Sequence, residues 1–199
     1  MINREYLHAE IYLDKFKQWK HEWEPHYIEM SRDFIFRNTF ADLERIMTVF
    51  KETGTKPEFE AYDIGHLHNA HLYHSQGEIE APFYVQFVTG ILGGIASTIP
   101  HLVHMTQTAQ SLFGEDIFFS TIGAGKNELP LAATSILLGG GARVGLEDNL
   151  WLDKGEMARS NAQLVEKMVR IAAELGYEPY TPDETRQILK LKGRDKVTM

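Results

Sequence analysis

The stretch GGGARVGLEDNLW, Gly139 to Trp151, places a run of three glycines and a fourth at Gly145, one arginine, an apolar segment and two adjacent carboxylates in thirteen positions. Read as a strand, ARVGLEDN alternates: Arg143, Gly145 and Glu147 point to one face, and Val144, Leu146 and Asp148 to the other. A short apolar helix, Pro130 to Leu138, precedes it, and a long one through MARSNAQLVEKMVRIAAELG follows, stopped at Gly176. Whether this stretch is a surface strand with scattered charges or a strand ending in a reactive site decides both fold and function.

The same strand-then-helix unit recurs upstream. DIFFSTIGAG reads as a strand closing on Gly123 and Gly125, preceded by a helix from about Ile99 to Phe113. FYVQFVTG is another strand, and PEFEAYDIG an alternating one that leads into a helix through HLHNAHLYHSQG. HYIEM is expected to be a strand, followed by the amphipathic helix FADLERIMTVFKETG, with Phe40, Leu43, Ile46, Met47 and Phe50 on one stripe and Gly54 as its stop. Residues 4–24 read as an aromatic-rich N-terminal helix ended by Pro25. At the other end, TPDETRQILKL opens with a capping box of Thr181 and Glu184, with Pro182 at the first helical position.

Five strands, starting near Tyr27, Phe59, Tyr84, Ile117 and Ala142, recur every 25 to 35 residues or so, which means βαβ units and a parallel sheet. An open doubly wound sheet and a portion of an eight-fold barrel both fit. Either one places reactive groups at the C-terminal strand ends, where Asp63, Gly123, Gly125, Glu147 and Asp148 fall.

The 199 residues, 43% of them hydrophobic, suffice for one domain with a sizeable core. A formal net charge of -8 argues against general nucleic-acid binding, which needs clustered Lys and Arg. There is no cysteine, hence no disulfide or thiolate metal site. No apolar run is long enough for a membrane span and MINREYLHAE lacks the apolar core of a signal peptide, so a cytoplasmic protein is expected.

Three groups of residues could carry chemistry. Arg143 and Glu147, with Gly145 leaving room between them and Asp148 curling back past the strand end, either form a polar cavity suited to a divalent metal and acid–base work or an ion pair that closes the end of the sheet. Glu58, Glu60 and Tyr62 share a strand face, and Glu60 can reach the same cavity. His66, His68, His71 and His74, among nine histidines in all, offer a metal site or, at a strand-to-helix junction, caps and packing. Ser120, Thr121 and GAGKNE with Lys126 could cradle an anion, or the glycines could serve only a tight turn.

PEFEAYDIGHL, QFVTGILGGI, IGAG, GGGARVGLEDN, GEMARSNAQLV and TPDETRQILKLKG, in this order, resemble the beta-keto acid cleavage enzymes, from about Pro25 to the C-terminus. The resemblance implies a zinc-containing TIM barrel, usually a homo-oligomer, that condenses a beta-keto acid with acetyl-CoA and yields acetoacetate and a new CoA ester. It implies Glu147 as the zinc-ligating glutamate, Asp148 paired with Arg143 as the base, and Glu60, Gly123 and Gly125 at the substrate. The two zinc histidines of that family come from an H-x-H strand in its first third. The chain is therefore expected to be an incomplete barrel of about five parallel strands in a single domain (1–199), lacking the N-terminal three strands and those histidines. Lys126 and Asn127, and Gly141 and Ala142, depart from the usual family residues. Two expectations follow: the C-terminal part of such an enzyme, or a truncated, non-catalytic homologue or split-barrel subunit with a structural role.

Overall fold

The computed structural model describes residues 13, 18–193 and 196–197. Residues 4–12 and 14–17 of the expected N-terminal helix lie outside them, and residues 18–22, where that helix was expected to continue, are not helical. The chain divides into two compact units, Met1–Ile46 and Met47–Met199.

In the first unit, HYIEM is helical. It lies in α1 (Trp23–Met30), where a strand was expected. Pro25 sits in the first turn of this helix and does not end one: a missing N–H costs nothing where no intrahelical partner exists. The alternation that suggests a strand is short, and among the described residues no strand pairs with it. Helix α2 (Phe40–Thr53) forms as its stripe predicts. Met47 is buried, Leu43 and Phe50 are half-buried, and Phe40 and Ile46 are exposed.

The second unit is an α/β layer. Four strands, β1 (Glu58–Ala61), β2 (Phe83–Thr89), β3 (Ile117–Gly123) and β4 (Gly141–Ala142), pair in parallel in the order β1-β2-β3-β4. The crossovers are α3 (Ile64–Ser75), α4 (Ile99–Phe113) and α5 (Glu128–Leu137). Strand order follows chain order without reversal, so the sheet has no switch point of the doubly wound kind. It does not close into a barrel among the described residues. The fifth parallel strand is absent because its sequence is α1.

One face of the sheet is apolar and covered. Ala61, Val85, Phe87 and Phe119 pack against Leu67 of α3, Leu102, Met105 and Ala109 of α4 and Leu131 of α5. Phe87 and Phe119 stack at 5.0 Å between ring centroids. Alternation puts Glu58, Glu60, Tyr84, Gln86, Ser120 and Arg143 on the opposite face.

The expected last strand is mostly a loop: only Gly141 and Ala142 pair. Beyond Arg143, whose N–H donates to the Thr121 carbonyl at 3.1 Å, the backbone leaves the sheet. The N–H of Gly145 donates to the Glu128 carboxylate at 2.8 Å. The N–H groups of Asp148 and Asn149 both donate to the Gly145 carbonyl, which bends the chain into a turn. A small antiparallel hairpin, β5 (Trp151–Asp153) with β6 (Glu156–Met157), follows around Gly155 at φ 79°. Helix α6 (Asn161–Glu174) buries Leu164, Met168 and Ala172. Helix α7 (Pro182–Ile188) carries the complete Thr181/Glu184 capping box.

Candidate active site

Arg143 leaves the end of β4 and gathers four side chains. Its Nε and Nη2 donate to Asp148 Oδ2 and Oδ1 at 3.0 and 3.1 Å. Nη2 also donates to Glu147 Oε2 at 2.9 Å, and Nη1 to Glu60 Oε1 at 3.2 Å and to Gln86 Oε1. Glu60 Oε2 in turn accepts from the Tyr62 hydroxyl at 2.8 Å. A planar guanidinium matches a carboxylate bidentately, and the pair with Asp148 has that form.

The partners differ in burial. The Asp148 side chain is 6% exposed, Arg143 27%, Glu60 42% and Glu147 84%. Burial raises the Asp148 pKa above the ordinary carboxylate range; the Arg143 hydrogen bonds and charge pull it back, while Glu147 and Glu60 push it up. Burial alone would lower the Arg143 value, but Asp148, Glu147 and Glu60 raise it on balance. Tyr62 is pushed up to about 12, by burial first and then by the Glu60 carboxylate it donates to. The result is one cation among three carboxylates, with a buried, oriented Asp148 able to accept a proton.

The loop that delivers Asp148 is pinned from two sides. Glu128, fully buried at the start of α5, accepts from Gly145 N–H and from Asn149 Nδ2 at 3.1 Å. Burial raises the Glu128 pKa, the Gly145 and Asn149 hydrogen bonds lower it, and the Asp148 charge raises it. Asn149 is itself tied to Trp151 through both its oxygen and its nitrogen. Gly125 N–H donates to the Asp148 carbonyl at 2.8 Å, and Gly125 is at φ 65°.

Arg143, Glu147, Asp148 and Glu60, read from the sequence as one group, do meet. The alternation places Asp148 on the far face of a strand; the turn at Gly145 brings it back. Gly123 is buried where a Cβ would come within 2.7 Å of the Asn127 carbonyl oxygen, a close approach that accounts for the glycine. Ser120 and Thr121 divide between the two faces. Lys126 is exposed, and Asn127 donates to the Ser97 carbonyl.

The histidines of α3 do not join this group. His66 Nδ1 accepts from the Tyr62 N–H at 3.0 Å and closes the entry to α3. His71 and His74 pack edge-on with Phe113 and Phe83. Among the described residues no three His, Asp or Glu side chains could hold a metal ion together. Of the carboxylates around Arg143, only Glu147 is mostly exposed, and a single carboxylate without imidazole is not a zinc site. The residues present do not by themselves fit the group.

Sequence reasoning passed over two residues. Gln86 and Glu128 are both buried and both touch the Arg143 loop or its anchor. Each is the one charged or amide side chain in a segment that reads as core (FYVQFVTG and ELPLAATSIL), and such a residue among mostly apolar ones was the signal to follow.

A parallel α/β sheet with an arginine-bound acidic pair at its strand ends makes this cluster a candidate catalytic site. The family described as beta-keto acid cleavage enzyme matches residues 9–191, and the chain belongs to that family. The 3,5-dioxohexanoate:acetyl-CoA acetone transferase of Paraburkholderia graminis is 46% identical over 181 residues, 91% of this chain and 58% of that protein. The 3-keto-5-aminohexanoate cleavage enzyme of Fusobacterium nucleatum is 41% identical over 160 residues, covering 80% and 57%. The 3-oxoadipate:acetyl-CoA acetyltransferase of Cupriavidus necator is 34% identical over 141 residues, covering 71% and 49%. The chain thus spans about half the length of the curated relatives it matches. No helix among the described residues is long and apolar enough to cross a membrane.

Proposed function

We propose that the chain supplies the acid–base half of a beta-keto acid cleavage site, one that condenses a beta-keto acid with acetyl-CoA and releases acetoacetate and a new CoA ester. In this reading Asp148 takes a proton from the bound acid or its adduct, Arg143 orients that carboxylate, and Glu60 lines the substrate pocket with Gly123 and Gly125. The carrying observation is the bidentate Arg143–Asp148 pair held over a polar sheet face. A buried, pre-oriented carboxylate whose pKa is raised by burial is a stronger proton acceptor than an exposed one.

Glu147 is the ligand this chain offers to zinc, and the imidazole ligands come from the portion of the relatives' length that it does not span. The same portion would complete a TIM-type barrel over the polar face. Chain-order strand pairing supports that architecture, since each strand of such a barrel neighbours the next. The complete assembly is read as a cytoplasmic homo-oligomer in a single-domain fold.

The test is acetyl-CoA-dependent turnover of a beta-keto acid panel, wild type against Asp148→Asn, with metal content measured on the same samples. Loss of turnover with an unchanged fold supports the base; equal rates defeat it. A second reading, a non-catalytic or assembly subunit, is favoured by the incomplete donor set for metal among the described residues. Absence of both turnover and zinc in the wild-type chain would select it.

A further inference from the structure

We propose that Gln86 is a positioning residue that fixes the Arg143 guanidinium, and through it the Asp148 carboxylate, to the centre of the sheet. Its catalytic consequence rests on the function proposed above; its geometric content does not.

Arginine has five N–H donors, no acceptor, and a rigid plane. Each donor of Arg143 meets one acceptor: Nε and one Nη2 proton reach Asp148, the other Nη2 proton Glu147, and the two Nη1 protons Glu60 and Gln86. The contacts are unequal as anchors. A two-point pair aligns Asp148 and Arg143 with each other but leaves the pair free to swing together about the arginine stem. A third point on the opposite edge of the guanidinium stops that swing. Nη1 is that edge. Of its two acceptors, Glu60 is 42% exposed, whereas Gln86 is 5% exposed and sits in the middle of β2.

Gln86 is itself held. It lies in register with Glu60 on one side and Ser120 on the other, and its Nε2 donates to Ser120 Oγ at 3.4 Å. The orientation of the carboxamide follows from chemistry: only its oxygen can face a guanidinium, which leaves the nitrogen for Ser120. The amide is also neutral. Three carboxylates already surround one cation, and a fourth would add repulsion against Asp148, whereas a carboxamide provides an acceptor without charge. A buried position tolerates such a polar group only when it is hydrogen-bonded, and both ends of Gln86 are.

The experiment is hydrogen exchange of the Arg143 Nε proton, followed by NMR in the full chain, for wild type, Gln86→Met and Gln86→Glu. Met keeps the unbranched shape and removes the acceptor; Glu keeps the acceptor. Removal of one hydrogen bond to a charged donor predicts exchange faster by about tenfold in Q86M. In Q86E, which keeps the acceptor but sets a fourth carboxylate against Asp148, the rate rises less than in Q86M. Were the role one of filling space, Q86M would exchange like wild type, and that result overturns the proposal. If Q86M does not fold, Gln86→Asn, one methylene too short to reach Nη1, takes its place with the same expectation. In preparations that turn over, Q86M lowers kcat with KM little changed. The exchange readout needs no turnover, so an inactive wild-type chain would defeat the proposed activity and leave the anchoring by Gln86 to be decided separately.

Discussion

Arg143 and Asp148, five positions apart in the chain, meet edge to edge through two hydrogen bonds of 3.0 and 3.1 Å, with the Asp148 side chain almost wholly buried. The Arg143 stem belongs to the sheet and Asp148 to the loop, so the pair joins the rigid part of the protein to the part that would carry the chemistry. Lysine in place of arginine would keep the charge and lose the planar two-nitrogen fork that meets both Asp148 oxygens. Arg143→Lys is expected to reduce acetyl-CoA-dependent turnover by about a hundredfold or more, in the range of lost general-base catalysis, while leaving the circular dichroism spectrum unchanged. A rate within a few fold of wild type would show that orientation by the fork is not needed.

Glu128 is the hidden support of that loop. Its two oxygens receive Gly145 N–H and Asn149 Nδ2, and Asn149 cannot turn away because Trp151 holds it at both ends. Glu128→Ala leaves buried donors unpaired and is expected to cost about 3 kcal/mol in urea unfolding. Glu128→Gln can still accept from Gly145 but sets its own amide against that of Asn149, so an intermediate loss is expected. Equal stability of all three chains would remove Glu128 from this role.

The contrast between these residues explains what could be read from the sequence. Period and punctuation located β1 to β3, α2 to α4 and the α7 cap, because each is set by local pattern: an apolar stripe, a proline, a glycine at positive φ. The association of Arg143, Glu147, Asp148 and Glu60 was legible for the same reason, since strand ends converge in βαβ units. The path of residues 143–150 was not. ARVGLEDN has strand alternation, but the N–H of Gly145 goes to a carboxylate seventeen residues earlier instead of to a neighbouring strand. Tertiary hydrogen bonding overrode the period. HYIEM failed differently: a five-residue alternation is equally compatible with one and a half helical turns, and no paired strand arbitrates.

A carboxylate on the polar sheet face makes stability depend on pH in an unusual direction. Partial burial, and then the neighbouring Glu60 charge, raise the Glu58 pKa above its ordinary 4.5, with Arg143 pulling it back. A raised folded value means the folded chain binds the proton more tightly than the unfolded one, so the contribution to stability is present below about 4.5 and is lost as pH rises through the folded value. Glu58→Gln is therefore expected to melt slightly higher than wild type at pH 7, with the two converging near pH 4. A difference that is constant across this range, or of opposite sign, would show that Glu58 is not strained by its surroundings.

The three glycines that open the Arg143 stretch are each constrained differently, and alanine should separate them. At Gly140 a Cβ would fall 2.2 Å from Cε2 of Phe119, a ring stacked on Phe87 in the core, so Gly140→Ala forces the aromatic pair apart. The expected cost is about 1–3 kcal/mol, the usual range for overpacking. Gly139 has open space but φ 87°, so alanine there meets backbone strain alone, about 1 kcal/mol. At Gly141, in β4, the nearest atom to a new Cβ is 3.5 Å away and φ is not in the left-handed region, so Gly141→Ala should be neutral or slightly stabilising through reduced freedom of the unfolded chain. Urea midpoints ranked 140 lowest, then 139, then 141 are the expected result. If Gly140→Ala unfolds no earlier than Gly141→Ala, Phe119 has room to yield, and the packing of this turn on the core is looser than the ring contact implies.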